Sequence, residues 1–300
     1  MNRFTKTTYL ILLIFFIQSC TSDYIIEPNA AESSTTLTKT TENAVDGMCN
    51  YEFQESSLTN AGWVKTFDEN FTTNLDKWHI WTGGAYNYEL QFYQANNLQI
   101  SDGALQIKAV KETVVGATRP NMPELSKFNY TSGRIESKTL FSASNSKPQV
   151  RIMARIKLPS GYGLWPAFWS YGDPWPTQGE IDILEAKSQD PFRYYTSYYY
   201  GDKAGINIAY DGEASVVTNV DLTSCYHVYE VIWGKNSLIY LFDGQIVGTK
   251  TGGYISKIFG KKERITLNLA VGGLFFPNLD ASLIQTGTMS VDWVKVFTSR

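Results

Sequence analysis

The residues of this chain whose types and spacing could do chemistry are three carboxylates in the order Glu-x-Asp-x-x-Glu. They lie in Trp175-Pro176-Thr177-Gln178-Gly179-Glu180-Ile181-Asp182-Ile183-Leu184-Glu185. The apolar spacers favour an extended strand over a helix. On a regular strand Glu180 and Asp182 share one face, and Glu185, three residues on, points to the other. A single β-bulge within Ile183-Leu184 brings all three to the same side. Carboxylates so placed repel one another, so at least one must hold its proton near neutral pH. A protonated carboxyl beside an ionised one is the pair that cleavage of a glycosidic bond requires, as acid for the leaving oxygen and nucleophile for the anomeric carbon. The two glutamates are then about 13 Å apart along the backbone, at ~3.3 Å per residue. Long side chains leaning together on a concave strand can close that gap to the roughly 5–5.5 Å of a retaining pair. A solvated acidic strand edge or a calcium cluster would show the same spacing.

The aromatic setting separates these readings. Leu164-Trp165-Pro166-Ala167-Phe168-Trp169 closely precedes the carboxylates, and the chain holds 8 Trp, 19 Tyr and 16 Phe. Part of that aromatic surface must fill a core, and the remainder would suit the flat C–H faces of sugars in a cleft. His79 and His227 are the only histidines and no Cys-x-x-Cys occurs, which argues against a zinc site. His227 is read as a packing or hydrogen-bonding residue. A net charge of −3 with 18% charged residues offers no basic stripe for nucleic acid.

The elements that must position these groups follow a period of two. In residues 150–158, Val150, Ile152, Ala154, Ile156 and Leu158 fall on one face, and Arg151, Arg155 and Lys157 on the other. Asp243-Gly244 and Asp102-Gly103 each join two apolar runs and predict hairpins on tight turns. Residues 289–297 predict a last strand, and no stretch sustains a 3.6-residue apolar stripe. Many short strands with Gly and Asn/Asp turns predict an all-β chain, a β-sandwich or jelly roll, with a barrel as the alternative.

The N-terminus reads as an address. Arg3 and Lys6 precede an apolar run, residues 9–17, that is short for a bilayer span, and Ile17-Gln18-Ser19-Cys20 resembles a bacterial lipobox whose cysteine becomes lipidated. The expected organisation is a lipoprotein signal peptide over 1–19, a flexible tether over 20–58 and a single catalytic domain over 59–300. The expected location is the cell envelope, lipid-anchored to a bacterial membrane through Cys20, at the outer membrane or cell surface. Cys49 and Cys225 remain, and whether they pair is open, because spacing does not give their separation in space.

The carboxylate strand and its surroundings resemble family sixteen of the glycoside hydrolases, the laminarinase-like group. Glu180, Asp182 and Glu185 match the family's Glu-Ile-Asp-Ile-x-Glu strand. Gly163-Leu164-Trp165-Pro166-Ala167-Phe168-Trp169 is similar to the block before it, and Asn87-Tyr88-Glu89-Leu90-Gln91-Phe92-Tyr93 to an upstream segment. The likeness runs, in the family's order, from about Val64 to Phe297. It implies a curved jelly roll with an open concave substrate cleft, and endo-cleavage of a β-linked polysaccharide with retention. The expected enzyme is a monomer that uses no cofactor. It further implies Glu180 as nucleophile, Glu185 as general acid/base and Asp182 as support for Glu180. Trp165 and Trp169 would stack on substrate, Trp175 would meet the sugar nearest the bond, and Asn87 and Arg134 would reach sugar hydroxyls.

Two departures bear on substrate. Laminarinases carry a His on the next strand, where Tyr198-Tyr199-Tyr200 stands here, so Tyr199 is a candidate contact to the substrate. The expected substrate is a β-1,3- or mixed-linkage glucan. A keratan-, mucin O-glycan- or algal galactan-type chain is the alternative, and a non-catalytic glycan-binding surface lipoprotein is the reading of another class. Asp68-Glu69-Asn70-Phe71 departs from the family's Asp-Glu-Phe, which weakens the inference of a structural calcium ion there.

Overall fold

The alternation in residues 150–158 becomes a strand, Val150–Lys157, whose Val150, Ile152, Ala154 and Ile156 are buried in the main core. The computed structural model describes residues 44–210 and 214–300. In it this strand lies between His227–Trp233 and Gly287–Thr298 in an eight-stranded antiparallel sheet. Ser237–Phe242 and Gln245–Thr251 extend that sheet on one side, and Ala104–Ala109 and Leu98–Ser101 on the other. Val64–Glu69 pairs the far end of Gly287–Thr298.

The second sheet, also of eight strands, runs Ala209–Tyr210, Arg193–Tyr200, Glu180–Glu185, Leu164–Tyr171, Glu263–Val271, Arg134–Phe141 and Trp78–Ile80, with Ala214–Val217 also on Arg193–Tyr200. Phe168, Ile181, Ile183, Leu184 and Leu267 from this sheet meet Ile107, Ile152, Val231 and Val294 from the first in one apolar core. The fold is the expected all-β jelly-roll sandwich. Both Asp-Gly pairs close hairpins as read: Asp102 and Gly103 have φ of 55° and 73°, Asp243 and Gly244 of 47° and 77°. Two successive positive φ values give the turn a twist that matches its flanking strands.

The expected tether is too long at its C-terminal end. Residues 44–58 belong to the folded unit. Val45 N–H donates to Val217 O at 2.8 Å, and Cys49 is bonded to Cys225, with 5.4 Å between the Cα atoms. Beyond them Leu58, with Tyr51, Phe53 and Trp63, packs on Met153, Val228, Trp293 and Phe297. Those four residues lie on the outer face of the first sheet, where alternation alone would leave them in water. The segment reads as polar, yet its Tyr51, Phe53 and Leu58 all land on that patch. Residues 1–43, Cys20 among them, lie outside the described residues. Among the described residues no helix is long and apolar enough to cross a membrane.

Candidate active site

The carboxylate strand carries its bulge where the spacing requires one. Across from the Leu164–Tyr171 strand, Glu180 faces Tyr171, Asp182 faces Trp169, Leu184 faces Phe168 and Glu185 faces Ala167, which leaves Ile183 without a partner there. On the other side Glu180 faces Tyr199, Asp182 faces Ser197 and Glu185 faces Tyr195. Ile181, Ile183 and Leu184 all point into the core, so the three carboxylates share the opposite face. Each is held by a donor from a different place in the chain. Trp175 Nε1–H donates to Glu180 Oε2 at 2.6 Å, and Trp165 Nε1–H to Glu185 Oε1 at 3.0 Å. Ser197 Oγ–H donates to Asp182 Oδ2.

Burial holds the Glu180 carboxyl well above its ordinary range; the charges of Asp182 and Glu185 push the same way, and the indole of Trp175 opposes them. The shift belongs to the cluster, which retains a proton among its members. Behind the strand, on the core side, lies a fourth acid. Glu263 is fully buried, accepts from Ser170 Oγ at 2.6 Å, and is pushed well up by that burial. Gly179, at φ +96°, lets the chain pass it: a Cβ there would meet Glu263 Oε1 at 2.6 Å.

The wall beside the carboxylates is a hydrogen-bonded relay. Trp169 Nε1–H donates to Asn268 Oδ1 at 2.7 Å, and Asn268 Nδ2–H to Tyr93 Oη at 3.1 Å. Tyr93 Oη–H donates to Glu89 Oε2 at 3.0 Å, which also accepts from Gln91 Nε2 at 2.7 Å. Glu89, Gln91 and Tyr93 thus fix the Trp169 ring from below. On its other flank Trp169 stacks on Tyr171 with 4.9 Å between centroids. Trp165 stacks on Phe275 at 4.8 Å.

With this geometry in place, comparison with known proteins assigns the family. The sequence pattern of glycosyl hydrolases family 16 matches residues 84–295. The chain belongs to that family. It is 31% identical over 274 residues to a glucan endo-1,3-beta-glucosidase of Cryptopygus antarcticus, covering 81% of this chain and 94% of that one. It is 30% identical over 267 residues to glucan endo-1,3-beta-glucosidase A1 of Niallia circulans, covering 82% of this chain but only 37% of that longer protein. The X-ray structure of an endo-beta-1,3-glucanase from Pyrococcus furiosus superposes with a TM-score of 0.66 at 32% identity, over 79% of this chain and 94% of that one.

Within this family 16 chain the other residues singled out in the sequence fall in distinct places. Tyr199 stands opposite Glu180, its ring 6.5 Å from that of Trp175. Arg134 lies on the same sheet face, largely buried: it donates to Glu136 Oε1 at 2.7 Å and lies 4.0 Å from the Trp81 ring and 5.0 Å from Trp169. Asn87 sits at φ +59° on an exposed turn, and its carbonyl accepts from Leu274 N–H at 2.8 Å. Its backbone is part of the wall. His227 has the bonding role expected of it, with Nδ1 2.8 Å from Asp243 Oδ2 in the first sheet. Glu69 accepts from Phe71 N–H and the Trp78 indole, and among the described residues no cluster of three His, Cys, Asp or Glu could hold a metal ion.

Sequence reading missed Ser197, Asn268, Phe275, Tyr195 and the Glu136–Tyr171 pair, in which Tyr171 Oη–H donates to Glu136 Oε1 at 2.9 Å. Their partners are brought to them only by the folded chain, as Asn268 is brought to Trp169 from 99 positions away.

Proposed function

We propose that this chain is an exported, lipid-anchored, retaining endo-β-glycosidase acting on internal linkages of a β-1,3-glucan. The observation that carries the reading is the delivery of Glu180 and Glu185 to one face by the bulge at Ile183, each with an indole N–H on one oxygen. Glu180 attacks the anomeric carbon through the oxygen that Trp175 leaves free. Glu185 gives its proton to the departing glycosidic oxygen, so the proton retained by the cluster must reside there when the sugar is bound. Once Glu180 is esterified its charge is gone, the repulsion on Glu185 falls, and Glu185 can stay ionised and draw a proton from the incoming water, whose oxygen bonds the anomeric carbon as the ester bond breaks and Glu180 leaves as carboxylate. Asp182, held by Ser197, supports Glu180 from the same face of the strand as the first bond breaks.

The two similar glucosidases and the similar glucanase structure support a glucan. Tyr199, opposite Glu180 where the laminarinase-like pattern has His, supports a second reading, a β-galactan. A panel of laminarin, mixed-linkage glucan, agar-type galactan, keratan and mucin O-glycans, read by product mass and by the anomeric configuration of the first product, tests both. Inverted product would end the double-displacement reading. Tight binding without any product would favour a glycan-binding protein instead. Export and anchoring rest on Cys20 and the apolar run before it. Cys20→Ala is expected to move the protein from the membrane to the soluble fraction; a variant that still sediments with membrane would remove the anchor.

A further inference from the structure

Lys187 follows Glu185 by two residues and is held at the same end of the carboxylate strand. Its Nζ lies 4.5 Å from the centroid of Phe275 and 5.5 Å from that of Tyr195. Phe275 stacks on Trp165, whose indole holds Glu185, and meets Tyr195 edge-on at 5.5 Å. Tyr195 is itself the register partner of Glu185. The ammonium is therefore tied to the Glu185 end of the cleft through aromatic surfaces alone.

The other cations of this sheet face are neutralised. Arg134 pairs with Glu136 at 2.7 Å, and Arg264 with Asp173 at 2.7 Å and with Glu136 at 3.3 Å. Lys187 has no carboxylate within ion-pair distance among the described residues. Ring faces attract a cation but accept its N–H groups poorly, so three donors remain for a ligand. An oxyanion is the partner such donors favour most.

We propose that Lys187, seated on Phe275 and Tyr195, is a subsite cation for an anionic substituent on a sugar flanking the scissile bond, an ester sulfate or a carboxylate. The location of that bond rests on the glycosidase reading of Glu180 and Glu185. The inference deepens that reading by adding a charged substituent to the polysaccharide, and leaves the identity of the backbone sugar to the panel above.

The test compares a backbone that the protein cleaves in three forms: neutral, sulfated, and oxidised to the C6 carboxylate. The ratio of kcat/KM on an anionic form to kcat/KM on the neutral form is expected to fall about tenfold in Lys187→Gln, the size of one lost charge-assisted hydrogen bond. In Lys187→Arg most of the preference should remain. The arm that loses its preference, sulfate or carboxylate, identifies the substituent, and product masses should place it on one of the two sugars at the cut. A ratio unchanged in Lys187→Gln, or substituents excluded from those two sugars, would overturn the proposal. Binding of the same three chains to Glu180→Gln protein, with and without Lys187→Gln, reads the preference as a Kd ratio without turnover. Absent hydrolysis would therefore sink the glycosidase reading, while this inference would stand or fall on that ratio.

Discussion

The Glu180 carboxyl stands where water is scarce and two like charges crowd it. Because the folded state raises the Glu180 carboxyl above its value in the unfolded chain, the native protein binds more protons than the unfolded one between those two values. Stability then declines as pH rises through that window, and the penalty is absent below the unfolded value, where both states are protonated. Glu180→Gln should remove it. The variant is expected to melt higher than the parent at pH 7, by on the order of 1 kcal/mol, and to match it near pH 4 in thermal denaturation at a series of pH values. Its turnover of soluble polysaccharide should fall by about 10³-fold or more. A more stable, inactive protein separates chemistry from folding; unchanged turnover would remove Glu180 as nucleophile. Glu185→Ala should lose polysaccharide cleavage yet retain slow release of aryl aglycones with good leaving groups, which need little protonation. Equal losses on both substrate types would argue against the acid role.

At the scale of the element, the strand places chemistry by its irregularities. The extra residue, Ile183, joins Ile181 and Leu184 in the core and turns Glu185 back toward the other acids. Its presence was legible in the sequence, because a carboxylate three residues after Asp182 reaches the same face in no other way. The strand's entry was not legible. Gly179 is required there by its positive φ and by the nearness of Glu263 and Ile258, and both of those neighbours come from distant segments. Gly179→Ala is therefore expected to destabilise the protein by about 1–3 kcal/mol and to lower kcat more than it changes KM, since the strain falls on the residue before Glu180. Denaturant unfolding alongside steady-state kinetics checks this; a neutral effect on both would show that the chain passes Glu263 with room to spare.

At the scale of the molecule, the active face and the fastened face belong to different sheets. The Cys49–Cys225 bond, spanning 176 residues, and the strap that follows it cover the outer side of the first sheet. The carboxylates and the tryptophan wall occupy the outer side of the second. Replacing both cysteines by serine should thus lower stability by about 2–4 kcal/mol, while kcat/KM at moderate temperature stays within about twofold of the parent. A large loss of activity in a protein that is still folded would show coupling between the two faces through the core. Recognising the strap as part of the fold required knowing that Met153, Val228, Trp293 and Phe297 converge on one outward patch. No single strand of the sequence carries that patch.

What the sequence determined by itself is what depends on near neighbours. Alternation of side chains, Asp-Gly turns with both residues at positive φ, and the offset that calls for a bulge are all settled within a few residues of backbone geometry. They fixed the all-β class and put Glu180, Asp182 and Glu185 on one face. Tertiary structure alone decided who stands opposite. Trp175 reaches Glu180, Trp165 reaches Glu185, Ser197 reaches Asp182, and Asn268 holds Trp169. Strand order and register are chosen by which apolar faces can be buried together across the whole chain, and that choice, made far from each residue, sets the environment in which its carboxyl or indole works.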